Sequence, residues 1–499
     1  MAWALGAAIL IAWGGALQAW FANDDFLWLD VSRVRPVLAS FVGAGGVVND
    51  FRPIVRVSFL IDWFLFGNQA LGWHLVNLLL HFACAWLFWK LAADWVGPIE
   101  AGLAALLFAV SPLLQENVVW ISGRSGSLGI LFGLLSLLCL VRYLRTPRTA
   151  LLVGMVAADL AAFASYEPMI VLPLFHLAIA FQSAEAKPRN WRPLAWLIGA
   201  HAALAVYRRL VLGSHISYGF RPVSLQSLGD IKQDYWPYAR SLLVPVWILP
   251  TAALALIARR NRDLARAALW TLAGVLVIML PFLVFRGAAS RFFYGGMLGV
   301  ALLLVILIQG VARLLPPRLG LPVLVVICAL LAAREIRHAE AETQDWVGAG
   351  DVGKDMIAKI AVFDPRPDPN AMHLVLNLPL LVGNGELFGT YADRAIRRFS
   401  RLPFYALLAG HEVVQGTGEG EVTYLRKLLG EEDQWRVSQK MPPLLCLDAK
   451  LAAANSAEMF LRGSAACGLD VIRVDYGVVS RVDMDQFWQW YGQNERKGS

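Results

Sequence analysis

MAWALGAAILIAWGGALQAWFANDD, residues 1–25, decides the fold class of this chain. Residues 1–22 carry no charge, and about 20 apolar residues suffice for one helix to cross a hydrocarbon layer. Two adjacent carboxylates, Asp24 and Asp25, follow at once. The segment lacks a basic leader and many apolar runs come after it, so it reads as a retained first span and not a cleaved signal. Paired acids at such a boundary hold a metal, take a proton from a hydroxyl, or merely mark the end of a span.

The pattern persists along most of the 499 residues, 58% of them hydrophobic and only 16% charged, with 19 Trp and 25 Phe. A soluble domain carries about 25% charged residues. This is the composition of an integral membrane protein. The net charge of +7 is dispersed through short loops between apolar runs, which argues against a nucleic-acid partner. Cys84, Cys139, Cys328, Cys446 and Cys467 show no metal-ligand spacing.

Counting outward from the first segment gives roughly eleven expected spans: 2–20, 71–93, 98–114, 126–144, 149–165, 168–182, 193–212, 236–258, 267–285, 292–312 and 319–334. Alternate connections carry Lys90, the Arg142/Arg145/Arg148 group, the Lys187/Arg189/Arg192 group, the Arg259/Arg260/Arg262/Arg266 group, and Arg313 with Arg318. Basic loops mark the cytoplasmic side. The N-terminus is therefore expected in the cytoplasm, with Asp24, Asp25 and everything after residue 334 on the outer side. No internal repeat is visible, which weighs against an inverted-repeat transporter.

Domain organisation follows: 1–334 a membrane domain whose first outer loop is 21–70, 335–370 a linker with Pro365, Pro367 and Pro369, and 371–499 a small outer domain. Strand-like runs at 372–378, 443–447 and 470–475 alternate with helix-like stretches near 390–410 and 449–463, the pattern of an α/β fold. Gly383, Gly385 and Gly389 miss the spacing of a dinucleotide loop. Cys446 and Cys467 would be free to pair in an oxidising compartment.

Chemistry-bearing residues concentrate in the outward loops. Apolar stretches near 26–41 and 54–66 of the first loop read as helices along the membrane surface, with Arg52-Pro53 opening the second. His74, Asn77 and His81 share one face of the second span, where hydrogen bonds between helices compete with a role in a site. Pro112 should bend the third span and present Glu116 outward. Arg124 lies close enough in sequence to pair with Glu116 or to contact substrate. Glu167 sits beside Pro168 in a turn, and Arg286, Arg291 and Tyr294 bracket the outer end of the tenth span.

The stretches 51–81 (FRPIVRVSFLIDWFLFGNQALGWHLVNLLLH) and 111–129 (SPLLQENVVWISGRSGSLG) resemble the GT-C-type membrane glycosyltransferases. The nearest branch is that of the protein O-mannosyltransferases with transmembrane and tetratricopeptide segments, together with their bacterial relatives. Ala164-Ser165-Tyr166-Glu167 resembles that branch's lysine–glutamate motif, with Tyr166 in the lysine position. Ser290-Arg291-Phe292-Phe293-Tyr294 resembles its late arginine–tyrosine motif. Two departures stand out: Ser111 replaces the usual histidine before Pro112, and no tetratricopeptide repeats follow.

The resemblance implies an enzyme of a bacterial inner membrane that transfers sugar from a polyprenyl phosphate to a protein, lipid or glycan acceptor at the outer face. It places the proton-accepting acid in the first outer loop, at Asp24 or Asp25, with Asp24 preferred as base. Arg52, His74, Glu116, Arg124, Glu167, Arg291 and Tyr294 become the expected substrate-binding set. Lipid phosphate leaves readily, so the chemistry requires a base near the acceptor hydroxyl and arginine on the departing phosphate. Direct displacement gives inversion. No cofactor is required, although an Asp-Asp pair leaves a divalent metal open. The competing reading is a transporter or lipid-linked-sugar flippase, for which charged mid-span residues on several helices would be the sign.

Overall fold

The computed structural model describes residues 1–34, 41, 51–183, 192–212, 225–243, 261–283 and 288–363, and the backbone of 372–378, 381–382, 385–386, 406–409, 469–475 and 478–481. The chain is a multi-pass membrane protein. Six described helices are long and apolar enough to cross a bilayer, or seven if one bent pair counts as a span. Ala2–Gln18, Thr149–Ser165 and Glu167–Gln182 are shorter apolar segments. The expected spans fall on helix, except that 2–20 is helical only as far as Gln18, 98–114 includes a bend, and 236–258 and 267–285 lie among the described residues only as far as Leu243 and Leu283.

The described helices are α1 (Ala2–Trp13), α2 (Asp25–Val34), α3 (Pro53–Phe66), α4 (Ala70–Val96), α5 (Pro98–Ala109), α6 (Gln115–Val118), α7 (Arg124–Arg145), α8 (Thr149–Ser165), α9 (Leu172–Ser183), α10 (Arg192–Leu212), α11 (Leu225–Leu243), α12 (Arg262–Leu283), α13 (Tyr294–Ala312) and α14 (Pro317–Phe363). Local chemistry explains their ends. α4 runs 27 residues and stops at Gly97, whose φ of 97° suits glycine and few others. Pro98 then opens α5, where a missing N–H costs nothing. Pro112 cannot continue that helix, and the chain turns by 59° into the short segment ending at Val118.

Two compact units divide the chain. The first comprises Met1–Gln18 and Val31–Gln344. Within it α7 packs on α8, α4 on α5 and α7, and α13 on α12 and α5. Small residues permit the close approaches. A Cβ at Gly299 of α13 would run into the Val275 side chain of α12. Trp13 of α1 donates its indole N–H to Ala109 O at 2.8 Å, binding the first helix to the bend after α5.

The second unit comprises Ala19–Asp30 and Asp345–Ser499. Residues 335–363, expected to belong to a linker, instead continue α14 to Phe363. Lys359–Asp355 at 2.7 Å is an i,i+4 ion pair on that extension, and the chain reaches no proline until Pro365. β1 (Met372–Leu378), β4 (Ala406–Ala409), β5 (Leu469–Asp475) and β6 (Val478–Arg481) form a sheet ordered β4-β1-β5-β6. β1 is parallel to both β4 and β5, in register Met372↔Leu469 through Leu376↔Arg473, while β5 and β6 are antiparallel. β2 (Leu381–Val382) and β3 (Gly385–Glu386) make a separate two-stranded pair. The strands expected at 372–378 and 470–475 are present. Residues 406–409, expected within a helical stretch, form a strand. The expected strand 443–447, the helix 449–463, Cys446 and Cys467 lie outside the described residues.

Candidate active site

Arginine and carboxylate meet in two different settings in the first unit. The first setting is buried. Arg124, opening α7, donates from Nε to Asn77 Oδ1 at 2.7 Å, from Nη2 to Trp73 O at 3.0 Å and from Nη1 to Ser58 Oγ at 3.5 Å. The same guanidinium pairs with Asp62 of α3 and lies 4.9 Å from the Phe59 ring. Arg124 and Asp62 are 0% and 2% exposed. Burial pushes the Asp62 carboxyl above the usual carboxylate range, opposed by the charge of Arg124. Of the two alternatives for Arg124, pairing with Glu116 is not the one found: Arg124 points inward to α3 and α4, and Glu116 pairs with Arg291.

The shared face of α4 serves the same interior. Asn77 Nδ2 donates to Trp120 O at 3.0 Å. His81 joins Tyr294 Oη and Ala109 O through its two ring nitrogens, each at 2.9 Å. Tyr294 and His74 are both buried. Interhelical hydrogen bonding thus accounts for Asn77, His81 and Tyr294.

The second setting is partly exposed. Arg52, just before α3, grips Glu167 through Nε at 3.2 and 3.0 Å and through Nη2 at 2.9 Å. Arg208, near the end of α10, reaches the same carboxylate at 3.1 Å. Two guanidinium groups therefore share one carboxylate and leave a net positive charge. Arg208 Nε is a buried N–H without a hydrogen-bond partner in the protein. Arg291 pairs with Glu116 at 2.6 Å, with side-chain exposures of 31% and 17%.

A row of rings joins the two exposed pairs. Arg52 stands 5.9 Å from the Tyr166 ring, Tyr166 lies 6.0 Å from Phe282, and Phe282 stacks on Phe292 at 4.9 Å. Arg291 sits 5.4 Å from both the Phe292 and Trp120 rings. The bend that presents Glu116 is tight: a Cβ at Gly123 would collide with the Glu116 carbonyl oxygen. Arg52 with Glu167 at one end and Arg291 with Glu116 at the other are thus linked through a row of aromatic rings. Arg208 joins them although nothing in its span marked it beforehand. Such a group offers an anion several charge-assisted donors at the edge of a low-dielectric interior.

The segment 19–30 belongs to the second unit. Asn23 has φ of 46°, the left-handed region that Asn tolerates, and turns the chain so that Asp25 Oδ2 accepts the Ala22 N–H at 2.9 Å. Asp25 is buried. Asp24 is half-buried, and its carbonyl accepts the Trp28 N–H at 3.1 Å as α2 begins. Trp20 packs edge-on against Phe26, with ring centroids 5.4 Å apart. Among the described residues, no group of three or more His, Cys, Asp or Glu side chains is arranged to hold a metal ion.

Residues 56–210 match the dolichyl-phosphate-mannose-protein mannosyltransferase family. Among curated relatives, the protein O-mannosyl-transferase TMTC2 of Mus musculus is 35% identical over 102 residues, 20% of this chain and 12% of that protein. Tmtc1 of Drosophila melanogaster is 30% identical over 168 residues, 31% of this chain and 19% of the relative. The chain thus spans less than a fifth of these relatives' length. The oligosaccharyltransferase of Archaeoglobus fulgidus superposes with a TM-score of 0.51 at 11% identity, over 94% of this chain and 69% of that one. ArnT from Cupriavidus metallidurans gives 0.49 at 14% identity, covering 88% of each chain. The GT-C-type membrane fold expected from the motifs is borne out.

Proposed function

We propose that this protein is a glycosyltransferase that moves a sugar from a polyprenyl phosphate to an acceptor hydroxyl, with inversion, at the outer face of a bacterial inner membrane. The observation that carries the reading is the Arg52–Glu167–Arg208 cluster: one carboxylate held by two guanidiniums, with the Arg208 Nε donor still unpaired. A departing lipid phosphate brings two or more negative oxygens to such a group, and arginine matches them in pairs. Arg291 adds a further cation beside Trp120, with Glu116 holding it in place. Donors fixed before the reaction act most strongly on charge that develops during it. The match to the dolichyl-phosphate-mannose-protein mannosyltransferase family and the protein O-mannosyl-transferase relatives support the same chemistry.

Asp24 is the base. Asp24 is half-buried at the start of α2, whereas Asp25 is buried and accepts the Ala22 N–H, orienting the turn. Arg124 serves the frame that holds α3, α4 and α7 together. The bent pair, the three shorter apolar helices and the expected span at 236–258 count as spans beside the six long helices, giving eleven in all. The N-terminus then lies in the cytoplasm and 371–499 forms a small α/β domain on the periplasmic side, with the parallel β4-β1-β5 core as support. Alkaline phosphatase fusions after residues 145 and 212 test that topology, and activity only in the second supports it.

Membranes supplied with labelled polyprenyl-linked sugar test the activity. Label moving to a non-lipid or second-lipid acceptor supports transfer, while intact donor crossing leaflets makes the protein a flippase. Asp24→Asn should lower transfer by about 10²–10⁴-fold, the usual span for a lost general base, with insertion unchanged. Full activity in that variant removes Asp24 from the role.

A further inference from the structure

α8 and α10 are tied together twice. Arg208 on α10 meets Glu167 just past the end of α8. Seven residues earlier on α10, and so on the same face roughly 10 Å along the axis, His201 Nδ1 lies 2.6 Å from Asp159 Oδ2 on α8. Asp159 and His201 are both buried, and the Phe163 ring stacks on the imidazole at 4.6 Å. Ionisable side chains inside membrane helices are costly and are seldom kept without a task.

Stability does not account for this pair. Asp159 Oδ1 and His201 Nε2 are buried without a hydrogen-bond partner in the protein, so the pair is only half satisfied. Well-packed apolar side chains would stabilise the contact at least as well. What the pair supplies is register. α10 buries Leu194, Leu197 and His201, but from residue 202 to 211 none of its side chains is buried, and Val206 and Leu210 are exposed. Beyond His201 the helix is held by exposed Tyr207, whose ring meets Phe51 at 5.8 Å and whose hydroxyl donates to Phe41 O at 2.6 Å, so no buried side chain fixes the stretch that carries Arg208. A slide or rotation of α10 by one residue would separate Asp159 from His201 inside an apolar environment. His176 on α9, the neighbouring titratable group, is occupied with Ser136 Oγ at 2.8 Å and Leu172 O at 3.0 Å, and cannot take over.

We infer that Asp159 and His201 form an intramembrane register lock that positions Arg208 against Glu167, and through it the phosphate end of the lipid donor. The second half of that statement rests on the phosphate-holding role proposed for the cluster. Both residues are positioning residues; neither touches substrate.

The test compares the full-length wild type with Asp159→Leu/His201→Leu, and with the near-isosteric Asp159→Asn should the apolar pair fail to fold. Undecaprenyl phosphate in nanodiscs is the binding probe. Spin labels on the exposed positions Val153 and Leu210 report the α8–α10 distance without ligand. The apolar pair should keep the wild-type melting temperature, weaken undecaprenyl phosphate binding at least tenfold and broaden the distance distribution. Adding Arg208→Ala to it should cause no further loss. Wild-type binding together with an unchanged distance distribution in the apolar pair overturns the inference. If the wild type itself binds no undecaprenyl phosphate, the proposed function fails, and the spin-label distances alone decide whether the lock exists.

Discussion

Arg124 and Arg208 both face a carboxylate, yet the two settings have different amounts left to give. Arg124 is enclosed by Asp62, Asn77, Trp73 and Ser58 on two helices, with no exposed surface. Arg208 shares Glu167 with Arg52, keeps an unpaired Nε and remains partly exposed. A satisfied buried arginine is part of the scaffold. An arginine that shares its counter-ion holds charge in reserve for a ligand.

The comparison breaks most readily at Arg124. Arg124→Ala strands Asp62 in a buried setting, and removal of one partner from such a pair costs about 3–5 kcal/mol. Thermal unfolding in detergent should show a large drop, with binding and transfer lost together. A variant of wild-type stability and reduced donor affinity would put Arg124 back among the donor contacts. Arg208→Ala should do the opposite. Hydrogen bonds to charged groups contribute about 1.5–3 kcal/mol, so undecaprenyl phosphate affinity should fall roughly 10- to 100-fold while the melting temperature barely moves. Arg52→Ala should match it, because the two guanidiniums act on one carboxylate. The smallest change belongs to Arg145→Ala. Its pair with Asp94 at 3.0 Å is 61% and 29% exposed, and exposed pairs contribute about 0–1 kcal/mol. Any loss of donor affinity there would mean that reserve charge is not confined to the cluster at Glu167.

How much of this was legible beforehand depended on distance along the chain. Pro112 announced its bend, and the run 372–378 announced its strand, because both rest on local chemistry. Glu116 had an arginine eight residues away in Arg124, but its partner is Arg291, 175 residues off. No periodicity encodes that choice. The arrangement of α3 and α4 takes Arg124 inward, and the contact between 112–118 and 290–293 delivers Arg291. Arg208 was hidden differently: AVYRRLVL reads as the basic end of an apolar span, and only the return of Glu167 beside it gives the charge a task. The extension of α14 was missed because a shift from apolar to charged residues resembles a boundary. Helix propensity depends little on that polarity, and Ala, Glu and Lys sustain the helix to Phe363.

Gly123 carries a consequence for any chain built on this plan. Its α-carbon lies against the Glu116 carbonyl so closely that even one methyl group has nowhere to go. Mutational drift at that codon is therefore closed while the turn survives. The glycine seven places after Glu116 is thus the fixed point on which the presentation of that carboxylate turns.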